Sequence, residues 1–210
     1  LSGILPPKKE FYRKIKPALK LIDLLLNTIL DIKYLRKPKI TEKYKLHELS
    51  SIDKDLADFI ESKLSQKLFR RGVTELNHIM KNPWILPLNK ADDKINKYHF
   101  SAFDKSFEFI PVKVTDRDNK IIAFILFANR AGNLKMPYAC YNDENSQTVF
   151  EIVKYYIKKL QVSSFITYEK QISYLLKKNK TPAFIKREIC RRYLLSKHFE
   201  DKVNLNPSDI

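Results

Sequence analysis

The 210-residue chain predicts an α/β (α+β) fold, a sheet built on a strand meander with helices before and after it, and three features carry that prediction. Phe107 to Val114 alternates apolar and polar residues, the mark of a strand with one buried face. Ile121 to Ala128 is almost continuously apolar, as a strand covered on both faces must be. On either side, apolar residues recur at the helical period, at Leu56, Phe59, Ile60 and Leu64, and again at Val149, Ile152, Val153, Tyr156, Ile157 and Leu160.

From the start, residues 1–40 form a basic helical segment with ten basic and three acidic residues. The chain opens on Leu1 rather than Met, as a fragment or a processed chain does. Pro17 suits a first helical turn, and Leu19, Ile22, Leu25, Leu26, Ile29 and Ile32 follow the 3.6 period. A helix packed on the main domain, or on a domain preceding it, is the favoured reading. The alternative, a membrane-surface helix, is weakened by Asp23 and Asp31. Lys37 to Lys43, with Pro38, reads as a linker. Tyr44 to Leu49 reads as a short strand, and Ser50 to Asp53 as a helix start. Phe69 to Gly72 breaks that helix. A second, Thr74 to Met80, is predicted to be capped by Thr74 and stopped by Pro83. Trp84, the only tryptophan, reads as a core anchor. Residues 88–106 read as a polar surface loop, with Tyr98-His99-Phe100 a strand fragment or tether.

The meander follows. Thr115 to Lys120 is its first turn, rich in Asp and Asn that tolerate turn conformations, and Asn129 to Asn133 its second. Leu134 to Tyr141 is the third strand. Asn142 to Ser146 offers caps and acids for the next helix. Val162 to Thr167 reads as a strand, Glu169 to Lys178 as a helix, and residues 183–199 as one or two strands closing the sheet. In that last stretch Arg187, Ile189, Arg191 and Tyr193 share a strand face that could meet phosphates. An edge strand guarded by charges is the preferred reading. The predicted organisation is therefore a segment 1–40, a domain 41–200 and a tail 201–210.

Composition removes several function classes. The formal net charge of +16 raises nucleic acid as a partner, but lysine outnumbers arginine and is spread along the chain, which does not favour it. No apolar run approaches the ~20 residues of a membrane span, and no signal-peptide core is visible. Two cysteines, Cys140 and Cys190, fit a reducing compartment, so the expected location is the cytoplasm. Glycine occurs only at positions 3, 72 and 132, which rules out a P-loop and a dinucleotide fingerprint. His47, His78, His99 and His198 are isolated, so no metal site is expected. Cys140 reads as a buried apolar residue before a nucleophile.

The order of strands and helices over residues 44–199 resembles the GNAT superfamily of acyl-CoA-dependent N-acyltransferases. Val112 to Phe124 looks like that family's second and third strands with their hairpin. Leu134 to Tyr141 looks like the fourth, Ser146 to Leu160 the helix behind it, and Val162 to Thr167 the fifth. Ile172 to Lys178 is similar to the next helix, which often carries a tyrosine, and Arg192 to Lys197 to a closing strand. The resemblance implies a mixed, largely antiparallel twisted sheet flanked by helices. It also implies transfer of an acyl group, acetyl first among them, from acetyl-CoA or another acyl-CoA to an amine acceptor, without a metal. On that reading the backbone of Tyr138, Ala139 and Cys140 holds the pantetheine arm. Asn145 and Ser146 complete the cofactor-binding set, and Tyr174 protonates the leaving thiolate. The family's pyrophosphate turn, Q/R-x-x-G-x-G/A, corresponds here to Tyr141-Asn142-Asp143-Glu144-Asn145-Ser146, which has no glycine and two carboxylates. Either that turn is rebuilt, or the domain no longer binds acyl-CoA there. A catalytically silent interaction domain on the same fold, or a basic nucleic-acid-binding protein, are the alternatives.

Overall fold

The computed structural model describes residues 43–64, 71–87, 103–179 and 186–188, with 20–22, 24, 25 and 28. The chain divides into two compact units, Leu1–Lys39 and Ile40–Ile210. In the first, the described residues are helical, Thr28 Oγ1 donates to the Leu24 carbonyl one turn back, and Leu21, Ile22, Leu24 and Leu25 are exposed. The remaining apolar positions predicted for that helix lie outside the described residues.

The second unit runs β1 (Lys45–Glu48), α1 (Lys54–Leu64), α2 (Val73–Lys81), β2 (Leu86–Pro87), β3 (Phe103–Asp104), β4 (Phe107–Thr115), β5 (Ile121–Arg130), β6 (Asn133–Tyr141), α3 (Ser146–Lys159), β7 (Ser164–Thr167) and α4 (Lys170–Lys178). The main sheet has the order β1-β4-β5-β6-β7. Its first four strands pair antiparallel and the last pair, β6 with β7, is parallel, joined by α3 as a crossover. The fold is mixed α/β, a five-stranded sheet with flanking helices, as the sequence pattern predicts. β2 and β3 form a separate two-stranded parallel pair.

β5 shows why its sequence is apolar without a break. Ala123, Ile125 and Phe127 pack under α3 and α4, whereas Phe124 and Leu126 pack against α1 and α2. Both faces are covered, so neither can be polar. Phe127 is fully buried with its ring 4.8 Å from that of Tyr156 on α3. The hairpins use the residues expected of them. In the first, Asp116 Oδ1 accepts from the N–H groups of Asp118 and Lys120, and Asn119 takes φ +62°. In the second, Ala131 (φ +46°) and Gly132 (φ +78°) are the two turn residues between the paired Arg130 and Asn133.

Several local expectations change. The N-cap of α2 is Gly72, whose carbonyl accepts from Leu76 N–H; Thr74 lies inside the first turn and makes no cap. Helix α1 is capped by Asp53, whose Oδ1 accepts from Leu56 N–H at 2.8 Å. Trp84 is 61% exposed rather than a core anchor. It meets Phe109 edge-on at 6.0 Å, and Phe109 is itself only half-buried near the end of its strand, so most of the indole is left to solvent. Of the predicted polar loop 88–106, Phe103–Asp104 is a strand; Tyr98-His99-Phe100 lies outside the described residues. Of the predicted closing strands, only 186–188 are described, and they are irregular. There Lys186 Nζ donates to the carbonyls of Leu176 (2.6 Å) and Asn179 (2.9 Å), closing the end of α4.

Candidate functional site

Local chemistry makes the end of β6 special. Leu126 pairs with Tyr138 and Ala128 with Lys135, so Met136 and Pro137 together stand opposite Phe127, a β-bulge. Proline has no N–H for a ladder, and a bulge is where a sheet tolerates it. The extra residue flips the side-chain alternation: Leu134 and Met136 face α3 and α4, whereas Tyr138 and Cys140 face α1 and α2. The β6–β7 ladder runs only from Asn133↔Ser164 to Met136↔Thr167. Beyond that point β6 continues along β5 to Tyr141, while the other chain passes through Tyr168 and Glu169 into α4. The sheet thus ends in a fork, β6 on one arm and the start of α4 on the other.

The fork gathers most of the predicted site. Tyr138, Ala139 and Cys140 are buried on β6, with Cys140 Sγ 3.4 Å from the Tyr138 hydroxyl. Asn145 and Ser146 follow on the turn into α3, a short 3-10 helix over Asp143–Asn145. Glu169, the N-cap residue of α4, reaches across from the other arm. Its carboxylate charge acts on the Tyr141 hydroxyl and, more weakly, on that of Tyr138. Burial, followed by the Glu169 and Asp143 carboxylates, pushes the Tyr141 hydroxyl well above its ordinary range. Burial first, and then Cys140, does the same to Tyr138, with Arg71 opposing. Both phenols therefore stay protonated, and that of Tyr138 accepts from Cys140 Sγ. Tyr174 is not brought to the fork. It is 56% exposed, away from the α4 face that buries Ile172, with Lys178 Nζ 5.8 Å from its ring centre.

No family model, curated protein or solved structure matches this chain.

Sequence reasoning missed Tyr141 and Glu169 as residues of the fork. Glu169 carried a usable signal: an acid at a strand-to-helix junction. Tyr141 carried none, since its place depends on the bulge.

The turn into α3 can be tested for its fit to a pyrophosphate. A helix N-terminus binds an anion through outward N–H groups and an open approach. Here Asp143 and Glu144 occupy the 3-10 turn that leads into α3 and are exposed. The polar side chains are turned inward: Ser146 Oγ donates to the Asp143 carbonyl at 2.5 Å, Asn145 Nδ2 to the Ile122 carbonyl at 3.5 Å, and Asn142 Nδ2 to Glu144 Oε1 at 3.3 Å. Asn142, Asn145 and Ser146 all have negative φ, so the turn lacks the left-handed residues that would open its backbone to a phosphate. The residues present do not fit a pyrophosphate. Among the described residues no group of three His, Cys, Asp or Glu could hold a metal ion, and no helix is long and apolar enough to cross a membrane.

Proposed function

We propose that residues 41–200 are a GNAT-like N-acyltransferase domain that moves an acyl group, acetyl first among them, from a thioester to an amine. The observation that carries this reading is the fork: a bulged β6 whose ladder with parallel β7 stops at Met136↔Thr167, with α3 as the crossover between them. On this reading an extended acyl-carrying chain would lie between strand and helix, beside the hydroxyls of β6 and a carboxylate. In the step itself the amine nitrogen forms a bond to the thioester carbonyl carbon, the carbon–sulfur bond breaks, and sulfur leaves as thiolate. The ammonium proton passes to Glu169 and on to water, with no redox change. Tyr138, buried on β6, is the candidate to donate to the departing sulfur, in place of the exposed Tyr174. The same reading puts the chain in the cytoplasm, supported by a thiol at Cys140.

The test is thiol release from S-acetyl donors against a panel of amines, with the acylated product identified by mass. Amine-dependent release is expected, lowered by about 100-fold in Glu169→Gln, the scale of a lost general base, and little changed in Tyr174→Phe. A second reading, a catalytically silent interaction domain on this fold, is favoured by the acidic α3 turn and the exposed Tyr174. Absence of release with every donor and amine selects it.

A further inference from the structure

The carboxylates at the fork carry a statement about the donor, one that rests on the acyl-transfer reading. Asp143 and Glu144 stand at the start of α3, on the β6 arm, and Glu169 stands at the start of α4, on the other arm. A chain entering between the arms passes acids on both sides. The positive end of the α3 backbone, which would otherwise attract an anion, is preceded directly by two carboxylates in the 3-10 turn Asp143–Asn145. The Ser146 hydroxyl and both Asn amides are engaged within the turn or with the neighbouring strand. We infer that this site takes its acyl group from an uncharged thioester arm of the pantetheine class, and that a phosphoadenylated carrier gains nothing from the turn at α3. The recognition elements are the apolar and hydroxyl-bearing end of β6 for the arm, and charge repulsion at α3 against phosphate. The reaction is the one already written: the amine forms the new carbon–nitrogen bond, and pantetheine leaves as its thiol after protonation.

The experiment compares S-acetylpantetheine with acetyl-CoA as donors for the full chain, each with an amine that supports turnover. In the wild type, kcat/KM for S-acetylpantetheine should equal or exceed that for acetyl-CoA. The double variant Asp143→Asn, Glu144→Gln keeps the turn's size and removes its charge at two exposed positions. It should raise kcat/KM for acetyl-CoA by about five- to tenfold, the effect of relieving two partly screened like-charge contacts. Added salt should shrink that gain, and S-acetylpantetheine should change by less than about twofold because it carries no charge to screen. Wild-type preference for acetyl-CoA by about tenfold or more, equal to roughly 1.4 kcal/mol of useful phosphate binding, overturns the inference while leaving acyl transfer standing. Loss of acetyl-CoA activity in the double variant does the same. Turnover with neither donor overturns the inference together with the reading it rests on.

Discussion

Ala131 holds a conformation that an L-residue with a Cβ takes at a cost, φ +46°, directly before Gly132 at φ +78°. The left-handed region costs a non-glycine residue about 1–2 kcal/mol, partly offset because alanine loses less chain entropy than glycine on folding. Ala131→Gly is therefore expected to stabilise the fold by about 0.5–1 kcal/mol, seen as a midpoint raised by a few degrees for a chain of this size. Gly132→Ala should cost about 1–2 kcal/mol. That loss is conformational rather than steric, since an added Cβ would meet nothing closer than Ser163 Oγ at 3.6 Å. Thermal melts of the two variants check both signs, and a destabilised Ala131→Gly would mean that the hairpin does not turn through these residues. Gly132 marked this turn in the sequence; Ala131 did not, because nothing local says that an alanine will be held at positive φ.

Among the elements, β5 and β6 divide what could be read in advance from what could not. The covered middle strand was legible because burial on both faces removes polar residues wherever they would fall. The bulge was half legible. Pro137 inside an apolar strand is a known sign of one, but which residues then face which layer depends on the register with β5 that only the fold sets. Trp84 failed for a related reason: size and apolarity favour burial, yet its place depends on a neighbour, Phe109, that the sheet itself leaves half-covered. The energetic contrast is measurable. Phe127→Ala removes a fully buried ring that stands opposite the bulge and against Tyr156, and should cost about 3–5 kcal/mol. Trp84→Ala should cost less than about 1 kcal/mol, since the ring is mostly in water already. Denaturation followed by circular dichroism suits the pair, because Trp84 is the only tryptophan. Equal losses would contradict the layer assignment.

Across the whole second unit, three carboxylates clip separate elements together. Glu48 on β1 accepts from Tyr156 (2.7 Å) and Lys159 on α3. Asp53, at the start of α1, pairs with Lys113 of β4 at 2.7 Å, and Asp104 on β3 pairs with Arg130 of β5. A hydrogen bond from a cationic side chain is the largest cause at each, Lys159, Lys113 and Arg130 in turn, and all three acids are held below their ordinary carboxylate range. The sign follows from linkage. A carboxyl held low in the fold binds fewer protons there than in the unfolded chain, so its contribution is complete above the unfolded value of about 4. As pH falls from there through the depressed folded value, that contribution is lost. These pairs are partly solvent-exposed, so each contributes little alone and salt weakens it. Their shared effect is directional: acid loosens β1 from α3, α1 from β4 and β3 from β5 together. The thermal midpoint should be insensitive to these groups above about pH 5 and should drop as pH falls below about 4. Glu48→Gln should flatten part of the drop, because it removes the one proton-binding difference that ties an edge strand to the long helix. A midpoint that rose on acidification, or a Glu48→Gln melt that fell as steeply as the wild type, would mean the sheet edge is held by packing alone.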